Sequence, residues 1–257
     1  MKIAIIGAGK MGSWLARELS KENEVMVFAR NKKNVLQVGK AKVVFDLAAL
    51  EKFKPDYLVN AASLQNTVEA FKAAEKFVSK STALVDITSI KANIPEYYAS
   101  CGFAFVSLHP MFGPTFANTD SLGNESVVLI KESDKSASKF FADFFEKLKV
   151  KVFNYSFKEH DEMMAYSLTL PFVSTMVFSA CMSSLAVPGT TFKKHKEIAK
   201  GLLSEDDHLL AEILFNQYSA KQLENVTGKL EFLKHVIAGR DFDEAKKFFD
   251  KLRNNVG

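Results

Sequence analysis

Met1-Lys2-Ile3-Ala4-Ile5-Ile6-Gly7-Ala8-Gly9-Lys10-Met11-Gly12 opens the chain. Residues 2–6 form an apolar run of strand length that stops at a glycine. A helical period begins directly after it, with Met11, Leu15 and Leu19 on one face. Between a strand and a helix, the G-x-G-x-x-G spacing acquires a physical meaning that the bare pattern lacks. Gly7 permits the turn, Gly9 lets the backbone approach a pyrophosphate, and Gly12 lets helix and strand pack closely. The helix N-terminus adds free N–H donors and the positive end of its dipole. The stretch predicts a dinucleotide-binding unit in which Gly7, Ala8, Gly9, Lys10, Met11 and Gly12 hold the cofactor.

Downstream, strand and helix patterns alternate. Strands are expected at Glu24–Phe28, Lys42–Phe45, Tyr57–Asn60, Ala83–Ile87 and Phe103–Leu108, with helices near Lys10–Lys21 and Val68–Val78. Ser126–Ile130 and Val150–Tyr155 read as further strands around a helix at Lys135–Leu148. From about Lys158 only helical periods appear, ending in the amphipathic segment Phe242–Leu252. The expected fold is α/β: an N-terminal Rossmann domain over residues 1–156, with a doubly wound, mostly parallel sheet, then an all-helical dimerisation domain over 157–257. A chain of 257 residues is long enough to bury a core in each.

Composition narrows the partners. The net charge is +4 without a long Lys/Arg block, so nucleic acid is not expected and small anions are. Two cysteines make neither a disulfide framework nor a zinc site, and a reducing cytoplasm is the expected location. The apolar N-terminus stops at Gly7, too early for a signal peptide. Met163–Phe192 carries no charged side chain and is long enough to span a bilayer. Its recurring serines, Pro171 and the lack of a flanking basic cluster favour a helix buried at a homodimer interface over a membrane span.

The end of the second strand discriminates between dinucleotides. A carboxylate there would bind a ribose 2′-hydroxyl, whereas this chain has Ala29-Arg30-Asn31-Lys32-Lys33. Arg30 offers a planar fork to a 2′-phosphate, with Asn31, Lys32 and Lys33 beside it, so NADP is expected and NAD is the alternative. Ala62 and Ser63, just past the fourth strand, complete the cofactor set.

The candidate chemistry lies in Leu108-His109-Pro110-Met111-Phe112-Gly113-Pro114, at the carboxyl end of the sixth strand, where open α/β sheets bind ligands. His109 titrates near neutrality in a loop stiffened by prolines and a glycine, which suits a catalytic base. Asp86-Ile87-Thr88-Ser89-Ile90-Lys91 ends the fifth strand in the same way and brings Ser89 and Lys91 toward it. His160 falls at the start of the helix after the domain boundary; His195, His208 and His235 fall in polar helical surroundings. No pair has metal-ligand spacing, and no metal is expected.

The Asp86-to-Lys91 run, His109-Pro-Met-Phe-Gly-Pro114, and Glu159-His160-Asp161 with Met164 and Tyr166 together resemble the prephenate and arogenate dehydrogenases of tyrosine biosynthesis. The resemblance extends over nearly the whole chain, and the run at His109 is its specific part. It implies a Rossmann domain followed by a helical domain that dimerises. It also implies NAD(P)-dependent oxidative decarboxylation of prephenate to 4-hydroxyphenylpyruvate, with arogenate dehydrogenation to tyrosine as the alternative. In that reaction His109 accepts the ring hydroxyl's proton, and Ser89 bonds the same hydroxyl or orients the imidazole. With an ordinary histidine pKa of about 6.5, activity would fall on the acid side near that pH. Two departures bear on the substrate. The segment Ser167–Phe172 offers Thr169 and Pro171 but none of the histidine common in prephenate-specific members. Where the family has an arginine for a substrate carboxylate, Lys193 is the nearest match. The expected substrate contacts are Lys91, Thr169 and Lys193. Two other readings are a different Rossmann-plus-helical reductase, which the His109 run argues against, and a non-catalytic NADP sensor, for which His109 would be dispensable.

Overall fold

The computed structural model describes residues 1–32, 35–113, 121–183 and 187–257. Its first part runs β1 (Lys2–Ile6), α1 (Lys10–Leu19), β2 (Glu24–Phe28), β3 (Lys42–Val44), α2 (Ala49–Phe53), β4 (Tyr57–Asn60), α3 (Thr67–Ala74), β5 (Ala83–Asp86), α4 (Ile94–Cys101), β6 (Phe105–Pro110), β7 (Ser126–Ile130), α5 (Lys135–Lys147) and β8 (Lys151–Tyr155). The strands form one sheet in the order β3-β2-β1-β4-β5-β6-β7-β8. All neighbours are parallel except β6 and β7. The order reverses between β1 and β4, and the connections on either side of that point leave a crevice at the strands' carboxyl ends.

Alternation along the strands separates two cores. Ile3, Ile5, Val25, Val27, Val59 and Val85 pack with Trp14 and Leu15 of α1 and with Phe141 and Phe145 of α5. The intervening Ala4, Ile6, Met26, Leu58 and Leu84 pack with Phe71 of α3 and Tyr97 and Tyr98 of α4. Strands covered on both faces are apolar at every position, which is why each reads in the sequence as a continuous hydrophobic run.

After β8 the chain is helical: α6 (Phe157–Met164), a π-turn (Ala165–Thr169), α7 (Leu170–Ala180), α8 (Thr190–Leu202), α9 (Asp207–Leu214), α10 (Ser219–Gly239) and α11 (Phe242–Val256). Ser156 caps α6, its hydroxyl accepting from the Glu159 N–H while the Glu159 carboxylate accepts from the Ser156 N–H. Pro171 stands at the start of α7, where its missing N–H opens the ladder and the wider π-turn absorbs the gap. The unbroken rod Phe157–Ala180 is long and apolar enough to cross a membrane by length and composition. None of the α7 residues is fully buried.

Several element bounds differ from the sequence expectation, among them the last helix, which continues to Val256. Helix α1 stops at Leu19 rather than Lys21, and α3 gives way at Glu75 to a tighter turn through Phe77. The sixth strand is displaced by two residues: it runs Phe105–Pro110, so His109 is not in a loop but pairs with Val128 of β7. The last β5–β6 partners are Asp86 and Ser107, so His109 and Pro110 extend beyond β5, and proline's lost N–H removes no bond on that side.

Candidate active site

The crevice beside β1 and β4 is a cleft of about 810 Å³ lined by Gly7, Ala8, Gly9, Arg30, Asn31, Ala62 and Ser63 among others. The three glycines have different reasons to be glycine. Gly7 has φ +106°, and a Cβ there would meet the Ala61 carbonyl oxygen at 2.6 Å. At Gly12 a Cβ would lie 2.2 Å from the Gly7 carbonyl oxygen, so helix and turn touch through bare backbone. At Gly9 a Cβ would meet nothing within 4 Å. Packing inside the chain does not demand glycine there, and the open space lies over the amino end of α1. No side chain caps that end, so its backbone N–H groups are available to a phosphate. These features fit a dinucleotide.

The flanks of the cleft are now placed. Arg30 is exposed at its rim, and Lys10 and Lys32 are exposed as well. The Lys32 ammonium stands 5.3 Å over the Phe45 ring. Met11 is half-buried against the core, and Lys33 lies outside the described residues. Ala62 is held by its N–H donating to Asn60 Oδ1 at 3.0 Å, and the Ser63 hydroxyl accepts from Asn66.

His109 is 6% exposed, and its Nδ1 lies 3.0 Å from Nε2 of His160. His160 is fully buried, and its own Nδ1 lies 2.8 Å from Oδ1 of Asp161. The same carboxylate accepts the backbone N–H groups of Lys91, at 3.0 Å, and Ala92, at 3.3 Å. Burial pushes His109 well below the usual histidine value, with His160 and the Lys91 charge adding to it. Burial also lowers His160, against the pull of Asp161. Among the described residues Nε2 of His109 makes no hydrogen bond. Ser89 is half-buried in the bend after β5; it does not cap a helix, because α4 begins only at Ile94. Pro114, the last residue of the run, lies outside the described residues.

The placement of the expected substrate contacts differs. Lys91 is fully buried: its ammonium donates to Asp86 Oδ1 at 2.7 Å and to the Leu108 carbonyl at 2.9 Å. It braces the residue before His109, and its ammonium is engaged by protein groups. Asp86 also accepts from Thr88 and, at 2.9 Å, from the Tyr98 hydroxyl. Burial alone would raise the Asp86 carboxyl, but the Lys91 ammonium, together with the Ser107 and Thr88 hydroxyls, outweighs it and holds it low. Thr169 is buried too, its hydroxyl 2.6 Å from that of Ser219 and 3.4 Å from the Ile213 carbonyl. It ties the π-turn to α9 and α10. Lys193 is exposed on α8. The sequence places His160 at the start of the helix after the sheet but gives it no chemical role, because its contact with His109 spans 51 residues. The signal available was its place beside Asp161 at the start of the helix that follows the sheet.

Among the described residues no three His, Cys, Asp or Glu side chains gather as a metal ion would require.

Comparison with known proteins bears on this arrangement. Residues 15–154 match the family described as "Prephenate dehydrogenase, nucleotide-binding domain", more than half of the chain. The solved prephenate dehydrogenase from A. aeolicus, in complex with hydroxyphenyl propionate and NAD+, matches with TM-score 0.85 at 20% identity, over 99% of this chain and 96% of that one. Synechocystis arogenate dehydrogenase matches with TM-score 0.74 at 19% identity, over 99% and 98%. At these identities the likeness establishes the fold. No curated protein matches significantly in sequence.

Proposed function

The chain belongs to the prephenate dehydrogenase family, and we propose that it oxidises prephenate with NADP, releasing carbon dioxide and 4-hydroxyphenylpyruvate. The observation that carries the reading is a buried, neutral His109 at the carboxyl edge of the sheet, beyond the end of β5, whose Nε2 makes no hydrogen bond among the described residues. The glycine turn and the start of α1 would hold the pyrophosphate of a dinucleotide, whose nicotinamide would supply the two-electron acceptor. His109 takes the proton that the ring hydroxyl loses as its carbon becomes carbonyl-like, and Ser89 is the residue proposed to bond the same oxygen or orient the imidazole. Aromatisation drives the loss of carbon dioxide, so the protein need only orient the ring and receive one proton. Arogenate is the second reading, supported by the absence of a histidine over Ser167–Phe172. Lys193 is the cation proposed for a substrate carboxylate.

NADP over NAD rests on Arg30 at the rim of the cleft. Among the described residues lining that cleft, the one carboxylate is Glu69, on α3 rather than at the end of β2. The test is turnover of purified protein followed by reduced-nicotinamide absorbance, with prephenate or arogenate against NADP or NAD. Turnover in none of the four combinations, with nucleotide binding intact, overturns the proposal. Arg30→Ala is expected to raise KM for NADP about 10- to 100-fold and leave NAD unchanged. That is the equivalent of the roughly 1.5–3 kcal/mol of a hydrogen bond to a charged group.

The same reading makes the protein a cytoplasmic homodimer with domains divided near residue 156. Both cysteines are free thiols. The α7 helix is apolar yet leaves Val177 45% exposed, a surface that a symmetric second copy would cover. Val177→Asp is expected to convert dimer to monomer or aggregate in light scattering; a soluble dimer would defeat this assignment.

A further inference from the structure

Between Asp161, His160 and His109 the hydrogen-bond roles admit one assignment. Asp161 stands where two backbone N–H groups, which can only donate, converge on its carboxylate, Lys91 on Oδ1 and Ala92 on Oδ2. Ala92 takes up φ +29°, an unfavourable angle for a residue with a Cβ, next to the peptide whose N–H reaches the same carboxylate as its neighbour's. An ionised carboxylate only accepts, so His160 Nδ1 carries the proton of the 2.8 Å bond. In a neutral imidazole the other nitrogen is then a bare acceptor, and His160 Nε2 must receive the proton of His109 Nδ1 across 3.0 Å. His109 is thereby left with a lone pair on Nε2.

We propose that His160 and Asp161 are positioning residues that hold His109 as its Nδ1–H tautomer and so make Nε2 the atom that accepts the substrate proton. Its catalytic consequence rests on the dehydrogenase reading; the tautomer itself does not. An isolated imidazole favours the opposite form, in which the proton would occupy the atom that has to accept one. When Nε2 takes the hydroxyl proton, the O–H bond breaks and an N–H bond forms. The new positive charge on His109 is shared through the Nδ1 proton with His160, beside the Asp161 carboxylate. The charged groups around the pair are Asp161 on α6, Asp86 on β5 and Lys91 just after it. The Lys91 ammonium opposes that charge and the two carboxylates favour it.

Nitrogen NMR of the histidine rings in the full chain tests the tautomer without substrate, with His109 assigned by loss of its signals in His109→Asn. At neutral pH, Nδ1 of His109 is expected to be the protonated nitrogen and Nε2 the bare one; the reverse overturns the proposal. His160→Phe keeps a ring in the buried site and removes the acceptor. It is expected to lower kcat about 10- to 100-fold while KM for substrate and cofactor stays within about two-fold, as for other groups that orient a reacting side chain. The acid limb of its pH profile should shift from the wild-type position, because the acceptor that shares the Nδ1 proton is gone while the burial that mainly depresses His109 remains. A folded His160→Phe protein with unchanged kcat and limb overturns the proposal. Should that variant fail to fold, the wild-type spectrum decides alone. Absent turnover with an Nδ1–H signal sinks the dehydrogenase reading and leaves the tautomer standing; turnover with an Nε2–H signal does the opposite.

Discussion

His109→Asn is expected to reduce kcat/KM about 100- to 10,000-fold, the range for removing a positioned general base. Cofactor affinity should be unchanged, since the glycine turn and α1 that form the cleft do not depend on that ring. The pH profile of the wild-type enzyme carries the companion prediction. The neutral imidazole is the active form, and burial, with His160 and Lys91, pushes its pKa well below 6.5. Activity is therefore expected to hold through pH 6.5 on the acid side and to fall only lower. This corrects the sequence expectation of a limb near 6.5, which assumed a solvated loop. Stability follows the same sign. Below about 6.5 an unfolded chain binds a proton at His109 that the native protein refuses. The stabilisation is present above that pH and is lost progressively as pH falls toward the folded value. Steady-state rates and thermal melts between pH 4 and 8 read both effects; a limb in kcat/KM at or above 6.5 would show that His109 is not the buried neutral base.

The second large effect is on folding. Asp86 and Lys91 are both fully buried, 2.7 Å apart, and each is the other's charge partner. Asp86→Ala leaves the buried ammonium without its hydrogen-bonded counter-charge, against only the Leu108 carbonyl and the Thr88 hydroxyl, and is expected to cost about 3–5 kcal/mol in urea unfolding. Asp86→Leu combined with Lys91→Met removes both charges and should recover much of that loss, because a buried pair often contributes little over an apolar one. The single variant should also gain stability as pH rises, since a lysine stranded in the interior gives up its proton more readily than one in an unfolded chain. A cost below about 1 kcal/mol for Asp86→Ala would mean that water reaches Lys91 and that the interior is not dry.

How much was legible beforehand depended on the range of the interactions involved. The glycine turn, the alternation of strands and helices and the change of pattern after Tyr155 are local: each follows from backbone freedom or from a hydrophobic period within a dozen residues. His109 was legible because its run is compact in sequence. His160 was not, since its partner stands 51 residues away and a helical histidine beside charged neighbours has the local signature of a solvated one. Lys91 and Thr169 look like ligand contacts by residue type; only packing shows one ammonium enclosed against Asp86 and one hydroxyl given to Ser219. The sequence by itself determined the architecture and the glycine turn, and it singled out His109. The tertiary structure alone decided which polar groups are spent inside the protein and which remain for chemistry. Burial and hydrogen-bond partnership are set by residues distant in the chain, and they determine whether a histidine is neutral and which of its nitrogens is free.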